Sequence, residues 1–360
     1  MGAMTRIDLQ IRKLTSGKSA IGAGFVALDI VEGRKKTFAS TGGSCGNVMA
    51  ILGWLGWNAQ PTSRLGADPA SEYIIEEYNE IGVDTSHLIL DETVSTPIVI
   101  QKFTETAEGG RSHRFSLSCP DCGGWLPRFR TMTLKQAEQF MLDDSRPQIY
   151  YFDRVTPSTL KLARWARDLQ ALVVFEPSSL GDEKHFLQAL ELCDVLKYSN
   201  DRLGHIPDLA ASNAPKLIIE TLGDEGLKMR WRGRWSVLPA FEAPVFEDAA
   251  GSGDWCTAGL LHLIGGDGAE GLSKMKKPAL DRALKFGQAL ATLNCGFEGA
   301  RGLMNHMDQR TANRALRSLI ERGEPLHIDD HLANVREMPE QLCDLCTPQT
   351  NANKAKRAAS

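Results

Sequence analysis

Asp254 closes the run Asp248-Ala249-Ala250-Gly251-Ser252-Gly253-Asp254, which leads into the helix-compatible Trp255-Cys256-Thr257-Ala258-Gly259-Leu260-Leu261. A glycine-rich turn at a helix start lets the backbone approach an anion, and the unpaired N–H groups and the helix dipole attract negative charge. Gly251, Ser252 and Gly253 are therefore candidates for an anion hole around a transferring phosphate. The same positive potential favours an ionised Asp254, a candidate base for a hydroxyl nucleophile. Phosphoryl transfer has a loose transition state, so one carboxylate suffices when positioning and charge neutralisation carry the rest. Taken alone, so short a run is more often a helix N-cap with turn glycines.

Other residues could hold an acceptor. Asp29 follows the apolar run that starts at Ala20, and Gly42-Gly43-Ser44-Cys45-Gly46-Asn47-Val48 precedes an apolar helical stretch. A carboxylate and a carboxamide can bond adjacent hydroxyls, while Gly42 and Gly43 let a polar ring lie against the backbone. Singly, Asp29 reads as a strand-end acid and Asn47 as a helix cap. Asp153 and Arg154 follow an apolar strand, at the end where parallel sheets place ligands. Arg154 suits a carboxylate or phosphate on the acceptor, or an ordinary surface ion pair. Two C-x-x-C pairs, Cys119 with Cys122 and Cys343 with Cys346, could close one tetrahedral structural zinc site, or be unrelated thiols or a redox pair.

Positioning these groups needs strands alternating with helices. Residues 148–152, 172–175, 195–197 and 216–221 read as strands, with helices such as 157–169 between them. A parallel sheet covered by helices on both faces fits, an α/β doubly wound architecture. The first strand is read as running from residue 20 to Asp29. Segments 30–41 and 96–118 break the rhythm and read as a small projecting sheet, in which His113 and Arg114 are solvated positions. Residues 4–325 form the main domain and 326–360 a C-terminal extension with a disordered end, residues 1–3 being set aside.

The composition is 42% hydrophobic and 24% charged, with a formal net charge of -4 and scattered basic residues. No footprint for a nucleic-acid backbone results. No run reaches the roughly 18 to 20 apolar residues of a membrane helix, and no N-terminal signal pattern appears, so a cytoplasmic protein with neither nucleic acid nor membrane as partner is expected.

Residues 248–259 and the upstream set Gly42 to Val48, Leu55-Gly56 and Arg64-Leu65-Gly66-Ala67-Asp68 resemble, in the correct order, the two signatures of the ribokinase (PfkB-type) carbohydrate kinases. Asp29, the turn Thr221-Leu222-Gly223-Asp224-Glu225-Gly226 and Gly299-Ala300 extend the resemblance from residue 20 to about 320. It implies a ribokinase-like fold with a lid that closes over a sugar-like acceptor and serves as a homodimer surface. ATP and Mg2+ are the implied cofactors, with Asp254 as base. Asp29, Gly42, Gly43 and Asn47 hold acceptor hydroxyls, and Thr221, Gly223 and Gly226 contact the nucleotide. Asp248 and residues 294–299 resemble positions that hold a monovalent cation in some relatives, so K+ is a further candidate. One departure stands out: Lys197-Tyr198-Ser199-Asn200-Asp201-Arg202 lacks an expected Glu. Ser199, Asn200 or Asp201 could act through water, and the magnesium ligands stay unassigned. A nucleoside acceptor is the nearest alternative, with Trp54, Phe103 and Phe115 too ambiguous to decide. A non-catalytic metabolite-binding protein is the other.

Overall fold

The computed structural model describes residues 17–34, 36–105, 111–204, 206, 215–243, 245–323 and 336–337. Its strands are β1 (Ser19–Ala23), β2 (Ala27–Glu32), β3 (Thr37–Gly42), β4 (Asn58–Thr62), β5 (Arg64–Gly66), β6 (Ile89–Asp91), β7 (Ile98–Glu105), β8 (Arg111–Ser116), β9 (Ile149–Phe152), β10 (Leu172–Phe175), β11 (Val195–Ser199), β12 (Leu217–Thr221), β13 (Leu227–Trp231), β14 (Arg234–Leu238) and β15 (Arg336–Glu337). The helices are α1 (Ser44–Trp54), α2 (Pro69–Glu80), α3 (Leu134–Phe140), α4 (Pro157–Asp168), α5 (Glu183–Leu192), α6 (Asn200–Leu203), α7 (Ser252–Ile264), α8 (Gly268–Lys274), α9 (Lys277–Asn294), α10 (Gly302–His306) and α11 (Gln309–Arg322).

Among the described residues the main sheet has eight strands in the order β14-β13-β12-β11-β10-β9-β1-β4. Neighbours from β4 to β12 run parallel, and β13 and β14 add antiparallel. The sequences Ile149-Tyr150-Tyr151-Phe152 and Leu172-Val173-Val174-Phe175 are apolar throughout because both faces of a parallel sheet are covered. Their side chains alternate: Tyr151, Leu172 and Val174 pack in one cluster with Trp255 of α7 and Phe286 of α9. Tyr150, Phe152, Val173 and Phe175 pack in another with Leu162 of α4 and Phe186 of α5. The expected helices on both faces are therefore present, and α4 starts at Pro157 behind a Thr156 capping box.

The stretch read as one strand from residue 20 to Asp29 is two. The chain bends at Gly24-Phe25-Val26, where Phe25 N donates to Asp153 Oδ1 at 2.9 Å. Beyond the bend, β2 joins a second sheet of order β15-β3-β2-β7-β8. Asp29 thus lies inside a strand of the small sheet rather than at the end of a main-sheet strand. The segments expected at 30–41 and 96–118 are these strands, β2 with β3 and β7 with β8. Arg336 and Glu337 of the C-terminal extension pair with Ala39 and Phe38, so the extension adds a strand to the small sheet. The expected disordered end lies outside the described residues.

Candidate active site

Helix α7 begins after Gly251, whose φ is 71°. A Cβ there would sit 2.1 Å from Ala300 O, so both the left-handed backbone and the close approach require glycine. Ser252 N turns back to Ala249 O at 3.2 Å, which leaves other first-turn N–H groups and the helix dipole to meet an anion. Asp254 is in that first turn, half-buried, with Oδ2 accepting from Asn47 Nδ2 at 2.8 Å. Asn47 stands on α1, which starts after Gly43; φ there is 79°, and a Cβ would come within 2.4 Å of Phe25 O. The two motifs that stand far apart in sequence therefore meet side chain to side chain. Asn47 Oδ1 is buried without a hydrogen-bond partner, an acceptor suited to a ligand hydroxyl.

The charge state of Asp254 differs from the sequence expectation. Burial and the nearby Glu176 carboxylate push its pKa up to about 8, with Asp153 adding to the rise, while Asn47 and Lys197 pull it down. These neighbouring carboxylates oppose the helix dipole, which favours the ionised form.

Sequence reasoning missed the layer beneath this loop. Lys197, 3% exposed on β11, donates to Glu176 and to Gly253 O, the latter at 3.1 Å. Burial alone would lower the Lys197 pKa, but Glu176 raises it. Glu176 also accepts from Thr257 Oγ1 at 2.7 Å and Tyr151 Oη at 3.3 Å. The signal was available: a lysine inside an apolar strand and a glutamate at the carboxyl end of its neighbour.

At the acceptor end, Asp29 of β2 occupies the space a Gly42 side chain would fill, its Cγ lying 1.9 Å from the position of such a Cβ. Burial raises the Asp29 pKa to about 7, opposed by Arg301 and assisted by Glu77. Arg301, 2% exposed, reaches Glu77 Oε1 at 2.7 Å and also donates to Ser40 Oγ. Glu77 in turn accepts from Thr41 N. Arg301 and Glu77, neither of them singled out in the sequence, tie β3, α2 and the chain before α10 around Asp29.

Asp153 is brought to the same centre, but its oxygens are committed: Oδ1 to Phe25 N, and Oδ2 to Cys45 N at 3.3 Å and Arg154 Nη1 at 3.3 Å. It holds the β1–β2 bend against the start of α1. Burial raises its pKa, opposed chiefly by Arg154. Arg154 also bonds Ser178 Oγ at 3.1 Å and lies over the Phe25 ring at 4.8 Å.

At the nucleotide end, Thr221 closes β12 level with Ser199 of β11. Gly223 faces open space, whereas Gly226 packs against Leu238 O, where a Cβ would come within 2.3 Å. Gly226 therefore has a structural duty. Asn200 opens α6 with its side-chain oxygen folded towards Gly204.

Asp248 is engaged on both oxygens. Its Oδ1 accepts from Ala250 N at 2.9 Å and lies 2.9 Å from His113 Nδ1; Oδ2 accepts from Gly299 N at 2.9 Å and from Gln101 Nε2. Burial would raise its pKa, but these donors hold it below the usual carboxylate value. A carboxylate offers about four lone-pair positions, and all are taken, so a potassium ion does not fit beside it. His113, read from sequence as solvated, is bonded here. Asn294 is likewise used at both ends, Nδ2 to Ala250 O and Oδ1 to Leu303 N, each at 3.0 Å.

Cys119 is buried and Cys122 exposed, joined by a tight turn in which Gly123 N donates to Cys119 O at 2.9 Å. Cys343 and Cys346 lie outside the described residues. Among the described residues, no group of three or more His, Cys, Asp and Glu is arranged to hold a metal. Nor is any of their helices long and apolar enough to cross a membrane.

A family model described as pfkB family carbohydrate kinase matches residues 29–307. The fructokinase of Salmonella typhimurium is 25% identical over 305 residues, 76% of this chain and 91% of its own. Among solved structures, the ATP-bound fructokinase of Xylella fastidiosa matches with a TM-score of 0.64 at 18% identity, covering 85% of this chain and 99% of that one. A fructokinase double mutant of Vibrio cholerae O395, in a form with fructose, ADP and potassium ion, matches with a TM-score of 0.63 at 18% identity, covering 78% and 94%.

Proposed function

The chain belongs to the pfkB family of carbohydrate kinases, and we propose that it transfers the γ-phosphoryl group of ATP to a hydroxyl of a sugar-like acceptor with Asp254 as base. The observation that carries this reading is the 2.8 Å bond from Asn47 Nδ2 to Asp254 Oδ2, which joins the candidate acceptor motif to the candidate phosphate loop. Asn47 fixes the carboxylate so that its other oxygen can take the proton of the attacking hydroxyl, and Asn47 Oδ1 is left to orient the acceptor. Asp29, with Gly42 and Gly43 beside it, receives further hydroxyls. The start of α7 presents N–H groups and its dipole to the transferring phosphate. Thr221 and Gly223 suit the nucleotide, since Gly223 leaves open space beside the backbone. Magnesium carried on the ATP phosphates supplies positive charge, which also favours ionised Asp254.

Two further readings follow at the level of assembly. The outer lid strand β8 leaves Phe115 53% exposed, with Leu117 exposed just beyond it, so pairing of two copies through the lid is inferred; sedimentation of the full chain checks it. The two C-x-x-C pairs are proposed to share a zinc on sequence grounds, which metal analysis would show as about one equivalent.

The test is phosphate transfer from ATP and magnesium to fructose, other sugars, sugar acids and nucleosides, comparing the protein with Asp254→Asn. Turnover lost in the variant supports the mechanism, and the preferred acceptor separates sugar from nucleoside. Ligand binding without turnover would favour a non-catalytic metabolite-binding protein.

A further inference from the structure

Asp248 stands three residues ahead of Gly251, inside the polypeptide that must hold still for phosphoryl transfer, yet half of its hydrogen bonds come from the lid. Gln101 belongs to β7 and His113 to β8, adjacent antiparallel strands on the outer side of the small sheet. Gln101 is 1% exposed, and the Asp248 side chain is fully buried. The other two donors are backbone groups that define the loop. Ala250 N directly precedes Gly251, and Gly299 N precedes Ala300, whose carbonyl sits against Gly251 and accepts from Trp255 Nε1 at 3.0 Å. Asn294 clamps Ala250 from its other side. The carboxylate is therefore a junction between the sheet that covers the acceptor and the turn that starts α7. A buried carboxylate with lost donors would recruit water or a small cation, or let the turn relax.

We propose that His113 is a positioning residue for phosphoryl transfer: by donating to Asp248 from the lid, together with Gln101, it sets the conformation of residues 249–253 without a bound monovalent cation. The inference rests on the reading of that turn as the anion hole. Because both side chains travel with the lid, the turn is held in its catalytic shape when the lid is seated and loosens when the lid lifts. His113 itself need not touch the acceptor, and its ring leans on Phe115 at 5.0 Å between centroids.

Hydrogen exchange of the full chain tests the clamp without knowledge of the acceptor. His113→Ala should speed exchange at the amides of residues 248–254 by roughly tenfold or more, the scale of one lost hydrogen bond to a charged group. Amides of β10 and β11 should be unchanged. His113→Asn keeps a donor near the Nδ1 position and should restore most of the protection. Potassium salt, compared with tetramethylammonium salt at equal ionic strength, should protect the Ala variant but not the unaltered protein, since only the variant has a vacated carboxylate. In turnover, His113→Ala should lower kcat with little change in acceptor KM. Unchanged exchange at 248–254, a uniform acceleration across all strands, or marked potassium activation of the unaltered protein would each overturn the proposal. An Asp254→Asn variant as active as the parent would instead sink the functional reading, while the exchange result still reports on the clamp.

Discussion

Asp254 works among carboxylates that disfavour its own charge, and this sets a pH signature. A base acts only when deprotonated, and the pKa of about 8 that burial and Glu176 give Asp254 is pulled down by magnesium-bound ATP, so kcat/KM for the acceptor should climb with pH below the resulting value and level off above it. Because magnesium-bound ATP pulls this pKa down, only a profile that stays flat from pH 9 down to about pH 4, the ordinary carboxylate range, would show that this carboxylate is not the base. Asp254→Asn should cost on the order of 10² to 10⁴ in turnover. The same residue should cost stability: its folded pKa lies above the ordinary carboxylate value of 3.8, so its contribution is fully present below that value and lost as pH rises through about 8. Denaturation near pH 9 should therefore find Asp254→Asn more stable than the parent, with the gain shrinking towards pH 5. Residue type and spacing made Asp254, Asn47 and Gly251 legible in the sequence. The protonation state was not, because it depends on Glu176 and Asp153, which reach the site from other strands.

At the scale of elements, the parallel strands were legible because burial on two faces leaves unbroken apolar runs such as 149–152 and 172–175. The division of residues 20–29 into β1 and β2 was not. Gly24-Phe25-Val26 reads as more strand, and the bend is imposed by Asp153 from a distant part of the chain. The turn before α7 has a sharper requirement. Gly251→Ala forces a Cβ into Ala300 O from a left-handed backbone, so it should lower kcat on the order of 10²-fold, comparable to loss of an anion-hole donor, with the fold retained by circular dichroism. Behind the turn, Lys197 and Glu176 form a buried pair that also holds Gly253 O. Lys197→Met leaves Glu176 uncompensated and should cost about 3 to 5 kcal/mol in chemical denaturation, whereas Lys197→Met with Glu176→Gln should recover much of it. If the double variant is as unstable as the single one, the pair is not what fixes this layer.

At the scale of the molecule, the lid is where the sequence was half legible. Alternating side chains marked β7 and β8, whereas β2 and β3, buried on both faces, showed only as a break in the βαβ rhythm over residues 30–41. Nothing marked β15, since a two-residue strand carries no periodicity, and nothing marked the Asp248 junction, which only the folded chain assembles. Arg336 and Glu337 nevertheless cover the edge of β3, and β3 carries Ser40 and Thr41, which bond Arg301 and Glu77 around Asp29, the proposed acceptor residue. Bare edge strands lose order and invite pairing with other chains. A chain ending at Gly323 should keep its eight-stranded sheet, which β15 does not touch, and melt within a few degrees of the parent. Its acceptor KM should rise several-fold while its ATP KM stays put, because Thr221 and Gly223, proposed to meet the nucleotide, sit on the main sheet and its loops. Equal rises in both constants would mean that the extension supports the whole fold, and no rise in either would mean that the lid closes over the acceptor without its outermost strand.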